Sequence, residues 1–211
     1  VLSTQGDSAE VLGFTPNMDV WYEDSSGNQV ANGWIQTTSS DSATQSTDRQ
    51  LGLYSARFEN KNVKWEKEVV FNSPLYANVF IQGTMAYKFD SHTSGTPGIA
   101  VTLTHRAKGD TSYSTGSDGT ITWSTQTSNT FIVPVSDASR IEPGLGEWTT
   151  GNWRAHTEGN REITKLKIEI ISHLDSLYST TSDSVHNDGG SGDDTSLGGG
   201  STYDWYLDGF G

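Results

Sequence analysis

The chain has 211 residues, a formal net charge of −13, no cysteine, seven tryptophans and eight tyrosines. That charge turns it away from nucleic acid and anionic membrane surfaces, and the missing thiols exclude disulfides and thiolate metal sites. No stretch approaches the roughly 20 apolar residues that insert across a bilayer, so the composition points to an acidic, aromatic-rich β-protein.

Residues 1–18 precede the first clear pattern and are expected to form an arm or a first strand, with 19–211 a single domain. The opening residue is Val and no leader is evident, so a mature or excerpted form is expected. "YEDSSGNQVANGWIQ" carries Glu23 and Asp24 between Trp21 and Trp34, both expected in the core. "QTTSSDSATQSTDRQ" reads as a long polar loop near 36–50. A strand is predicted near Leu53–Glu59. "NVKWEKEVVF" then places Val63, Trp65, Lys67, Val69 and Phe71 on one face.

"YANVFIQGTMAYKFD" aligns Val79, Ile81, Met85, Tyr87 and Phe89, and "GIAVTLTHRA" aligns Ile99, Val101, Leu103 and His105. Short strands follow near Thr120–Trp123 and Thr130–Val135, where Pro134 marks a strand margin or a sheet edge. "ITKLKIEIISH" turns Leu166, Ile168 and Ile170 inward, with Lys165, Lys167 and Glu169 outward. A second polar, Gly-rich loop near 179–202 leads into the closing "STYDWYLDGFG". There Tyr203, Trp205 and Leu207 share one side, and Asp204, Tyr206 and Asp208 the other. Period-two alternation of this kind describes antiparallel strands with one face in the core. Roughly eight to ten of them make an all-β fold, a two-sheet antiparallel β-sandwich of the jelly-roll kind.

No nucleophile elbow, zinc-helix motif or phosphate loop occurs, and the five histidines are scattered. Glu66 and Glu68 share a strand face, as acids on solvated strands often do, so no catalytic residue is expected. Calcium takes carboxylates and carbonyls gathered from loops, which makes Glu23, Asp24, Asp48 and Asp208 candidate ligands for a structural ion. Asp188, Asp193 and Asp194 of "HNDGGSGDD" offer a further acidic loop. "LGEWTTGNWRAHTEGN" sets Trp148 and Trp153 in a polar stretch beside Arg154 and His156. An exposed indole stacks on the apolar face of a sugar while such polar neighbours bind its hydroxyls. Trp123 and Tyr113 extend the group. The competing reading is that each Trp closes the end of the core.

"YEDSSGNQVANGWIQ", "TDRQLGLYSARFE" and "YDWYLDGFG" together resemble the first, second and last strands of carbohydrate-binding-module-like jelly rolls of the galactose-binding-like superfamily. "VVFNSPLYANVFIQGTMAYKF" is similar to the accessory sandwich of X-Pro dipeptidyl peptidase and CocE-type esterases, of the same broad superfamily. The resemblance implies a calcium ion held between the first loop and the last strand, by Glu23 or Asp24, backbone near Asp48, and Asp208. It also implies that the first and last strands pair. The function expected is a non-catalytic module, extracellular or on a cell or virion surface, that binds glycan or polysaccharide. The alternative is a structural subunit, a virion decoration or receptor-binding protein or a surface-filament component, that assembles as a homo-oligomer or larger array through residues 1–18. A polysaccharide-acting enzyme is a third reading.

Overall fold

The computed structural model describes residues 18–37, 42–59, 63–75, 80–92, 98–134, 146–157, 159–171 and 203–209. Alternation dictates what forms: every element among them is a strand. These are β1 (Trp21–Glu23), β2 (Gln29–Ala31), β3 (Ile35–Gln36), β4 (Thr44–Ser46), β5 (Ser55–Glu59), β6 (Lys64–Leu75) and β7 (Phe80–His92). They continue with β8 (Gly98–Ala107), β9 (Tyr113–Thr115), β10 (Ile121–Trp123), β11 (Thr127–Pro134), β12 (Thr149–His156), β13 (Arg161–Ile171) and β14 (Tyr203–Asp208). A first five-stranded sheet runs β11-β8-β13-β6-β3, and a second runs β12-β7-β14-β5-β4. All pairs are antiparallel. From β5 onward the chain passes repeatedly between the sheets, which makes the sandwich a jelly roll. Two separate ribbons, β1-β2 and β9-β10, flank it.

The inward faces are the predicted ones. Trp65, Ile99, Val101, Leu103, Leu166, Ile168 and Ile170 of the first sheet are fully buried, as are Ala56, Phe58, Ile81, Trp205 and Leu207 of the second. Phe58 stacks on Trp205 with centroids 4.5 Å apart and meets Trp65 edge-on at 5.5 Å, so one aromatic column joins the layers. Each such ring takes roughly 200 Å² out of water, on the order of 5 kcal/mol of hydrophobic stabilisation. Pro134 is the last residue of edge strand β11, where its missing N–H costs no ladder bond.

Two expectations are corrected, the pairing of the first and last strands and the 36–50 loop, and two further stretches are placed. The closing strand does not pair with the opening one: β14 lies between β5 and β7. The opening strand instead folds on β2, because the Asp24 carboxylate accepts the N–H groups of Ser26 (2.8 Å) and Asn28 (2.9 Å) while Gly27 takes φ +84°. The polar stretch around Trp153 is edge strand β12, with Gly151, Trp153 and Ala155 turned inward opposite Met85, Gly83 and Ile81. The polar 36–50 segment contains β4 and the fully buried Ala43. Met18 is a core residue. Residues 1–17 and 179–202, with Asp188, Asp193 and Asp194, lie outside the described residues.

Candidate functional site on the outer face of the second sheet

Period two sends Arg57 and Glu59 of β5, Tyr206 of β14 and Lys88 of β7 to the face of the second sheet away from the core. Trp205 pairs with Phe89 and Asp204 with Ser91, so Asp90 is the extra residue of a β-bulge. A bulge re-aims side chains, and here the Asp90 carboxylate reaches both Lys88 (2.8 Å) and the Tyr206 hydroxyl. The Lys88 ammonium also pairs with Asp48, from the loop between β4 and β5, and sits 4.3 Å from the centroid of the Tyr206 ring. Arg57 grips Asp204 through two nitrogens (3.0 and 2.5 Å) and Glu59 at 2.8 Å.

Trp148, just before β12, sets its ring edge-on to Tyr206 at 6.3 Å and donates its indole N–H to Asp48 at 3.3 Å. It is half-buried, whereas Tyr206 and Lys88 are about 5% exposed. The exposed Thr150, Asn152, Thr84 and Gln82 continue the face along β12 and β7.

The electrostatics follow from burial and pairing. Burial, then the bond to Asp90, push the Tyr206 phenol well above its ordinary value, so it stays neutral. Burial disfavours the Lys88 ammonium, but the bonds to Asp48 and Asp90 outweigh it and raise its pKa. Burial would lift Asp90; its bonds to Lys88 and Tyr206 hold it below the usual carboxylate range instead.

The sequence-predicted residues separate into several places. Of the glycan candidates whose side chains are described, only Trp148 lies on this face. Trp153 is 2% exposed inside the core and offers no ring face to a ligand, which corrects its reading as a stacking platform. His156 is half-buried with its ring 5.6 Å from Phe131, and of Arg154 only the backbone is described. Tyr113 and Trp123 belong to the β9-β10 ribbon beyond the first sheet, packed edge to face at 5.2 Å. There the Arg106 guanidinium, paired with Glu162, lies 3.7 Å from the Trp123 centroid. Glu68 is paired with Lys165 at 3.1 Å on the outer face of the first sheet, with both side chains solvated.

The residues given to calcium separate too. Asp24 closes its own hairpin, Glu23 is exposed and faces Gln29, and Asp48 serves Lys88. Asp208 is fully buried, and its carboxylate accepts the N–H groups of Gln50 (2.9 Å), Leu51 (2.7 Å) and Gly209 (2.7 Å). Burial, with the nearby Asp19, raises its pKa despite those bonds. Among the described residues no three His, Asp or Glu side chains gather as a metal site. These four carboxylates sit in separate places and turn to N–H donors or solvent instead of converging, so the set does not fit a calcium ion, whose oxygen ligands must gather around one point.

No protein-family model matches the chain, and no curated protein does. The chain has weak similarity to solved structures. It is similar to TmCBM61 in complex with β-1,4-galactotriose at 11% identity and a TM-score of 0.36, over 85% of this chain and 86% of that one. It is similar to the CBM22-1-GH10 modules of Clostridium thermocellum endo-1,4-β-D-xylanase 10B complexed with xylohexaose at 13% identity and a TM-score of 0.38, over 83% of this chain and 25% of that one. It is also similar to the enzymatically active domain of bacteriophage CBA120 tailspike protein 4 at 7% identity and a TM-score of 0.36, over 85% of this chain and 19% of that one.

Proposed function

We propose that the chain is a non-catalytic module that binds a glycan along the outer face of the second sheet. Trp148 carries this reading. A pyranose ring needs a fixed aromatic surface for its C–H face and acceptors around it for its hydroxyls. Trp148 is half-exposed, and it is held from both sides by Asp48 and Tyr206. Its neighbours Asp48 and Asp90 keep lone pairs open to solvent. From Lys88 to Gln82 the face runs about 20 Å along β7, room for an extended oligomer.

Catalysis is disfavoured by the same geometry. Glycoside cleavage needs an acid held protonated in an apolar niche, but Asp48, Asp90, Asp204 and Glu59 each face a cation. On this reading the module acts outside the cell or on a cell or virion surface. The test is a glycan array followed by calorimetric titration of the best oligosaccharide into wild type and Trp148→Ala. At least a tenfold loss of affinity is expected, about 1.4 kcal/mol. Silence on the array, or equal affinity of the variant, overturns the proposal.

A further inference from the structure

The β4-β5 loop, residues 47–54, puts Asp48 against Lys88 and Trp148, and nothing in its polar sequence explains why it should hold one shape. Its hydrogen bonds do. The Asp208 carboxylate takes the amides of Gln50 and Leu51, and the Asp19 carboxylate takes those of Leu53 and Tyr54. The carbonyls are collected by a cation of the chain itself. The Arg49 guanidinium donates to the carbonyl of Gly52 at 2.7 Å and to that of Thr47 at 2.8 Å, while the Ser55 hydroxyl donates to the carbonyl of Asp48 at 2.5 Å. Carbonyls converging on a positive centre are what a calcium loop supplies to its ion. Here Arg49 receives two of them, and the acids meet amides.

We infer that this loop is organised without a divalent cation, by Arg49 on its carbonyls and Asp19 and Asp208 on its amides, and that Asp208 thereby acts as a positioning residue for Asp48 and Trp148. The reach to Trp148 matters for binding only on the glycan reading above; the loop device itself does not depend on it. Asp208 comes from the last strand, Asp19 precedes the first, and Arg49 is local. The loop is thus tied to the first and last described strands, which explains a fully buried carboxylate at a sheet margin.

The first probe is calcium alone, by calorimetric titration of CaCl2 into EDTA-treated protein and by thermal unfolding in CaCl2 against EDTA. No saturable heat and a midpoint change under about 1 °C are expected. A cation bound at a hundredfold excess over its Kd would raise the midpoint by roughly 5 to 10 °C, and that result overturns the inference. The second probe is amide exchange and the Trp148 indole resonance, compared among wild type, Asp208→Asn and the exposed Arg49→Gln. Exchange of the Gln50 and Leu51 amides is expected to accelerate at least tenfold in both variants, with the Trp148 indole N–H shifted. A purely structural role would lower the midpoint and leave that resonance and those amides alone, and this pattern also overturns the inference. None of these readouts uses a glycan, so failure of the glycan reading leaves them interpretable.

Discussion

Replacing Lys88 by Met tests how the outer face is held together. The ammonium is about 95% buried, paired with two carboxylates and set over the Tyr206 ring. Its loss removes a cation–π contact of about 1 to 2 kcal/mol. It also removes two charge-assisted bonds, worth roughly 0.5 kcal/mol each because Asp48 and Asp90 are 48% and 37% exposed and water screens them. Met fills a similar volume and carries no desolvation cost, which offsets part of this. A net loss of about 1 to 2 kcal/mol follows, or roughly 3 to 8 °C in the unfolding midpoint for a chain of this size.

The pH dependence has a definite sign. The raised Lys88 pKa contributes stability that is fully present below the unfolded value near 10.4 and lost as pH rises through the folded one. The lowered Asp90 contributes stability present above about 3.9 and lost as pH falls through its folded value. Urea denaturation of wild type and Lys88→Met should therefore differ by a constant amount between about pH 5 and 10, and converge outside that window. An unchanged or more stable variant would refute the reasoning, showing that the buried ammonium costs more than its partners return.

Trp205→Ala opens the centre of the aromatic column and should cost about 3 to 5 kcal/mol, read as loss of a cooperative unfolding transition at 37 °C. On the outer face four carboxylates, Asp48, Asp90, Asp204 and Glu59, surround two cations, Lys88 and Arg57. Affinity electrophoresis should therefore show stronger retardation by a neutral polysaccharide than by polygalacturonate, since both cations described there are already paired with carboxylates. Trp123→Ala removes the Arg106 stack on the β9-β10 ribbon. It should lower stability by about 1 kcal/mol in chemical denaturation without changing glycan affinity.

The strands that were legible in the sequence are those whose inward residues are large. Trp65 and Val69, Ile81 and Met85, Val101 and Leu103, or Ile168 and Ile170 announce the period by themselves. β12 was hidden because Gly151 and Ala155 flank Trp153 on its inward side, so the alternation shows only one large residue. Small inward residues are nonetheless required there: a Cβ at Gly151 would lie 3.1 Å from Met85 and 3.3 Å from Tyr87. Trp148 and Trp153 stand five positions apart, an odd spacing that sends two residues of one extended run to opposite faces.

The site itself was largely illegible. Arg57, Lys88, Asp90, Asp204 and Tyr206 alternate as solvated residues should, and become a connected network only because β5, β14 and β7, distant in sequence, lie side by side. Asp208 did stand out, as an acid within an aromatic strand. What its sequence setting could not reveal is that it would meet amides of a distant loop.

The indole N–H spectrum of uniformly 15N-labelled protein, titrated with the oligosaccharide selected on the array, bears most directly on where a ligand sits. The Trp148 signal, assigned by its disappearance in Trp148→Phe, should move progressively to saturation while those of Trp153 and Trp205 stay fixed. Movement of the Trp123 signal with Trp148 unmoved would place the ligand on the β9-β10 ribbon and contradict a binding site on the second sheet.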